Sequence, residues 1–221
     1  MEKPIYPSRY MRITQGYNVG THIDSFAIDD GGKDYGIDTI YAPFTGIIKK
    51  IYQNDANEVW LESIEQVEYP DGTIDYMTIM FAHSNDVSDL FVGKKINQGD
   101  AFYKEGTKGN VTGNHCHIEC ARGKFTGTGW YKNKAGYYSI NNGKKPEECL
   151  WLNENITVLD NNNYQFKKIE NIEVLETPEE PVFPQQPVEN NKKDELNLIF
   201  TCEKKDLYGI YLKEGQKLYL E

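Results

Sequence analysis

Apolar residues in this chain fall into short alternating runs cut apart by Gly, Pro, Asn and Asp, and helical three-and-four spacing is scarce throughout. Alternation puts successive side chains on opposite faces of an extended strand, so such a chain must bury its apolar surface by pairing strands. Ile47-Ile48-Lys49-Lys50-Ile51-Tyr52, Glu58-Val59-Trp60-Leu61-Glu62, Tyr76-Met77-Thr78-Ile79-Met80-Phe81 and the run from His115 to Cys120 all read as strands. Turn chemistry such as Pro70-Asp71-Gly72 separates them. The 16 Tyr and 9 Phe raise strand propensity further. The expected fold is all-β, with an antiparallel sheet core over residues 1–152.

Past Leu152 the pattern changes. Residues 153–176 alternate only in places, as in Ile156-Thr157-Val158-Leu159, and are rich in Asn and Glu. Pro178, Pro181, Pro184 and Pro187 space the next stretch evenly, which favours an extended, semi-rigid linker. Residues 153–193 are therefore expected to be an extension and linker. Beyond it, residues 198–202, 207–212 and 217–220 read as three short strands. Such a trio is marginal alone, so residues 194–221 are expected to form a small β appendage that docks on something else or makes a homo-oligomer contact.

The formal net charge of −10 is spread along the chain, and no basic stripe offsets it. Nucleic acid is thereby excluded as an expected partner. The longest apolar stretches are strand-sized, so no transmembrane helix is expected. Residues Met1 to Pro7 lack the apolar core of a secretory signal. Cysteines at 116, 120, 149 and 202 are too sparse for a disulfide scaffold and are expected to be reduced.

Chemistry points to the four histidines, at 22, 83, 115 and 117. In Gly113-Asn114-His115-Cys116-His117-Ile118-Glu119-Cys120, strand alternation sends His115, His117 and Glu119 one way. Cys116, Ile118 and Cys120 go the other way, into an apolar layer. Two imidazoles on one strand face suit a metal, and catalytic zinc takes three protein ligands. The segment Gly20 to Gly32 offers candidates for the third. Asp29 falls on the polar face of a strand, whereas His22, an odd number of positions away, has to come from a loop. Read alone, Asp24, Asp30, Asp34 and Asp38 also make this a plain acidic turn region. Trp130, Tyr131, Tyr137 and Tyr138 read as core rather than as a substrate groove.

From Ile13 to about Leu152 the chain resembles the lysostaphin-type zinc metallopeptidases, in several blocks in that family's order. Ile13-Thr14-Gln15-Gly16-Tyr17 followed by Gly20-Thr21-His22 is similar to the entry to the first metal ligand. Ala42-Pro43-Phe44-Thr45-Gly46, Phe81-Ala82-His83-Ser84 and Gly93 to Asp100 match further blocks. Gly109 to Glu119 resembles the family's G-x-S-T-G-P-H-L-H-F-E, with Val111, Asn114 and Cys116 in place of Ser, Pro and Leu. Pro146 to Leu150 resembles the closing block. Residues 63–76 and the aromatic loop 125–138 depart from short members.

The resemblance implies the duplicated-hybrid-motif fold and Zn2+ held by His22, Asp29 and His117. It assigns His83 and His115 as the catalytic pair. Glu119 is the candidate carboxylate orienting a ligand histidine. The implied activity is endopeptidase cleavage of bacterial peptidoglycan, by an enzyme of the phage lysin or tail-lysin kind. It would be made in the cytoplasm of a phage-infected bacterium and act at the cell wall after release or as part of a virion. The rival expectations are a degenerate wall-binding or activator module of the same fold and a zinc-dependent peptidoglycan amidase.

Overall fold

A computed structural model of the chain describes residues 1–53, 55–125 and 130–169. The architecture is all-β. In chain order, the first strands are β1 (Tyr10–Gln15), β2 (Ile28–Asp30), β3 (Thr39–Tyr41), β4 (Gly46–Tyr52) and β5 (Glu58–Ser63). There follow β6 (Val67–Glu68), β7 (Ile74–Asp75), β8 (Met77–Ala82), β9 (Lys95–Ile96) and β10 (Ala101–Lys104). The last are β11 (Cys116–Arg122), β12 (Trp130–Lys132), β13 (Tyr138–Ile140), β14 (Gly143–Lys144) and β15 (Thr157–Asp160). Two single-turn 3-10 helices, Gly20–His22 and Pro146–Glu148, interrupt them. Among the described residues no helix is long and apolar enough to cross a membrane.

One sheet organises the molecule, in the order β15-β1-β2-β11-β8-β5-β4-β9, with β14 added beside β11. Its pairings are antiparallel except β1 with β15. The centre of the sheet is buried on both faces, which is why β8 reads Met-Thr-Ile-Met-Phe-Ala with scarcely a polar residue. One face carries the main core. Ile28, Ile48, Leu61, Ile79, Phe81, Cys116, Ile118 and Cys120 there are 0% exposed, and a Leu- or Phe-sized side chain so buried contributes roughly 1.5–3 kcal/mol. The opposite face carries a smaller cluster of Trp60, Met80, Ala82, Ala121 and Ile140, with Phe125 and Trp130 packed against it.

Two expectations change here. The packed unit does not end at Leu152. Strand β15 pairs with β1, and Leu152 bridges Lys168. Tyr164 stacks on Tyr17 with ring centroids 4.3 Å apart, and Phe166 meets Tyr6 edge-on at 5.5 Å. Aromatic residues scattered through an Asn-rich segment thus tie it to the core through Ile169. The aromatic loop also differs from its reading as core. Trp130 packs on Trp60, but Tyr131, Tyr137 and Tyr138 are exposed. They stand on the β12–β13 hairpin. The linker and appendage expected beyond residue 169 lie outside the described residues.

Candidate metal centre

Register between β2 and β11 sets Asp29 directly opposite His117. The same alternation that buries Cys116, Ile118 and Cys120 in the core turns His117 and Glu119 to the other face. His22 arrives from the single helical turn that ends the 16–22 loop, and it is almost fully buried. Asp29 is the hub: its Oδ1 lies 3.0 Å from His117 Nδ1, 3.3 Å from His22 Nε2 and 3.5 Å from His115 Nε2. Ligand atoms of His22, Asp29 and His117 all fall within 4.8 Å of one another, a group of three that could hold a metal ion. The 115–119 run and the Gly20–Gly32 segment therefore converge, although Asp24 and Asp38 stay outside that group.

Each imidazole is set by its far nitrogen. His22 donates from Nδ1 to the Gly16 carbonyl at 3.1 Å, leaving Nε2 for the site. His117 donates from Nε2 to Glu119 Oε1 at 3.0 Å, leaving Nδ1. The other oxygen of Glu119 accepts the Ile140 N–H at 2.6 Å, and the carboxylate is 1% exposed. Ligating histidines characteristically carry such a partner on the second nitrogen. The predicted orienting role of Glu119 thus has the matching geometry, toward His117.

His83 and His115 stand beside this trio with ring centroids 4.6 Å apart. Both turn Nδ1 to a backbone carbonyl, Lys108 at 2.8 Å and Gly113 at 3.0 Å, so each presents a bare Nε2. His83 sits at φ +84°, a left-handed conformation that a bulky residue adopts only when its surroundings impose it. Its N–H to Ala56 and its carbonyl from Lys108 N–H fix the conformation. Gly106 closes the arrangement by bridging His115, its α-carbon pressed against the His83 carbonyl and Asn85 N where a side chain would collide.

Charge follows from these contacts. Burial works against ionising Asp29, but its hydrogen bonds with His117 and His22 outweigh it and hold the carboxyl well below the usual range. Burial also opposes a charge on His117, yet the Asp29 and Glu119 carboxylates on its two nitrogens push it up to about 10. His83 goes the other way: burial first, then the charge of His117, lower it to about 4. The pull that keeps a proton on His117 is the pull that would draw a cation to its Nδ1.

The donor set fits zinc. Bonds of about 2.1 Å in a tetrahedron separate ligand atoms by roughly 3.4 Å; the Asp29–His117 and Asp29–His22 separations are 3.0 and 3.3 Å, and all three ligand atoms lie within 4.8 Å of one another. Two neutral nitrogens and one carboxylate oxygen leave one position of a tetrahedral site for water or substrate. Sequence reasoning passed over Asn133, whose Nδ2 bonds the Thr21 carbonyl next to His22. An Asn in an aromatic loop carries no spacing signal.

Fold and site together define an all-β domain with a buried His-Asp-His cluster and two further histidines facing it. No protein-family model matches the chain. Morphogenesis protein 1 of Bacillus phage B103 is 32% identical over 130 residues, covering 58% of this chain and 34% of that protein. The chain thus spans about a third of the length of this curated relative. Solved structures that resemble it include M23 and lysostaphin-type peptidases and the SpoIIIAH–SpoIIQ complex. LytU has a TM-score of 0.42 and 19% identity, over 62% of this chain and 82% of its own. The catalytic domain of the antimicrobial peptidase lysostaphin from Staphylococcus simulans has a TM-score of 0.40 and 16% identity, over 61% and 86%. A zinc-containing peptidase from Vibrio cholerae has a TM-score of 0.39 and 17% identity, over 53% and 37%.

Proposed function

We propose that this chain is a zinc-dependent endopeptidase acting on a peptide bond of the stem or cross-bridge of bacterial peptidoglycan. The observation that carries the reading is the convergence of His22 Nε2, Asp29 Oδ1 and His117 Nδ1 beside the bare Nε2 atoms of His83 and His115. When bound, zinc supplies Lewis acidity toward a carbonyl and lowers the pKa of water. His22, Asp29 and His117 would hold it, with Glu119 keeping the proton of His117 on the outward nitrogen. His83 Nδ1 is committed to the Lys108 carbonyl, so its Nε2 carries the lone pair that can accept a proton from water. His115 Nε2, 3.5 Å from Asp29 Oδ1, faces the same site and would share that duty, or, once protonated, donate to a developing oxyanion. The chain is proposed to act at the wall from a phage-infected cell or a virion.

The test is digestion of purified peptidoglycan by zinc-loaded protein and by H115A, with the fragments read by mass spectrometry. Cleavage within the peptide by the wild type alone supports the reading. An intact wall, or release of whole stem peptides from the sugar, overturns it in favour of a binding module or an amidase.

A further inference from the structure

The carboxamide of Asn133 does three things at once. Its Oδ1 accepts the N–H groups of Ala135 and Tyr137, both at 3.0 Å, which shapes the turn between β12 and β13. Its backbone adds N–H donation to the Tyr137 carbonyl at 2.8 Å and acceptance from Gly136 N–H at 2.9 Å. The remaining donor, Nδ2, leaves the hairpin and binds the Thr21 carbonyl at 2.7 Å. Thr21 precedes His22, and the Asn133 side of this bond is buried, at 6% exposed. A buried side chain that satisfies its own turn and spends its last donor on the residue before a ligand is placed to hold that ligand.

Other bonds tie the same hairpin to the site. Ile140 N–H ends on Glu119, which orients His117. Lys134 pairs with Asp24 at 2.8 Å, and the Tyr131 hydroxyl reaches the Asp24 carbonyl, both just past His22. On another loop, Asn110 Nδ2 donates to the Tyr137 hydroxyl at 2.7 Å, two residues from the Lys108 carbonyl that orients His83. Supports of two of the three ligands are thus bolted to one hairpin.

We infer that Asn133 is a positioning residue for His22, and that through Asn133 and Glu119 the aromatic hairpin of residues 130–140 is energetically coupled to the metal. This rests on the metal reading above. Coupling is reciprocal: a hairpin that tightens metal binding is itself tightened by metal. Partners bonded directly to a ligand side chain, as Glu119 is to His117, are worth roughly 10–100-fold in metal affinity; Asn133, which holds the backbone one residue before His22, is expected at the lower end of that range.

Asn133→Asp separates the two jobs, because an Asp oxygen still accepts from Ala135 and Tyr137 while the donor to Thr21 is gone. Zinc affinity is measured on the full chain by competition with a chromophoric chelator, alongside amide exchange with and without zinc. The expected result is at least tenfold weaker zinc binding in N133D with the turn amides of Ala135, Gly136 and Tyr137 still protected. In the wild type, zinc should slow exchange at those three amides. This second measurement decides the matter if N133D does not fold. Unchanged affinity in a folded N133D, or turn amides indifferent to zinc in the wild type, overturns the inference alone. A wild type that binds no zinc overturns the metal reading with it.

Discussion

Replacing Glu119 by Gln keeps the shape of a fully buried side chain and removes one charge. With metal on Nδ1, His117 must carry its proton on Nε2, and then no arrangement of the amide satisfies both neighbours. Glu119 Oε1 accepts from His117 Nε2 at 3.0 Å and Oε2 accepts from Ile140 N–H at 2.6 Å. A Gln amide has one oxygen and one NH2, so either the ring or the strand meets a donor facing a donor. A buried group left unsatisfied costs about 1–3 kcal/mol, and loss of a carboxylate partner weakens metal affinity roughly 10–100-fold. Those figures agree, since a tenfold change corresponds to about 1.4 kcal/mol. The assay is zinc competition on E119Q, with thermal unfolding as a control. Activity should fall at limiting zinc and recover substantially when zinc is in excess, because His83 and His115 are untouched. Zinc affinity equal to wild type in E119Q would refute the claim that this carboxylate sets the His117 ring for metal.

Asp29→Ala should abolish zinc retention and turnover together, as metal analysis and a wall-turbidity assay would show; full zinc content would remove Asp29 from the ligand set. His83→Ala and His115→Ala should keep zinc close to stoichiometric while lowering turnover by roughly a hundred to ten thousand fold; loss of metal would make either one a ligand. Glu105 is 0% exposed, and burial, then the nearby Asp30 charge, raises it to about 8. A carboxyl raised above its unfolded value is most stabilising at low pH, so stability should decline from about pH 4.5 to pH 8, the window between its unfolded and folded values. Glu105→Gln should flatten that decline in thermal melts across the range; an unchanged slope would show that Glu105 is not its source.

Much of the centre was legible in the residues because strand alternation is a strict rule. It placed Cys116, Ile118 and Cys120 inward and His117 and Glu119 on the opposite face, as the structure has them. Sequence likewise put Asp29 on a strand and His22 off one. What alternation could not supply was register, since nothing local says that Asp29 lies opposite His117 and not one residue away. Nor could it tell which ring nitrogen each histidine would present, which depends on carbonyls and carboxylates brought in from elsewhere. Tyr131, Tyr137 and Tyr138 were misread because an aromatic cluster suits a core and an exposed hairpin equally well. The boundary at Leu152 fell short because Tyr164 and Phe166 act through contacts with Tyr17 and Tyr6, some 150 residues distant in sequence.

The measurement that reaches the central claim most directly is the chemistry of the ends made on purified peptidoglycan by the zinc-loaded protein. Mass spectrometry with amine labelling reads it. The account predicts new α-amino and carboxyl ends inside the stem or cross-bridge, formed only when zinc is present and absent in D29A. Cleavage that leaves every peptide bond whole, or that proceeds equally after zinc is stripped, would contradict it.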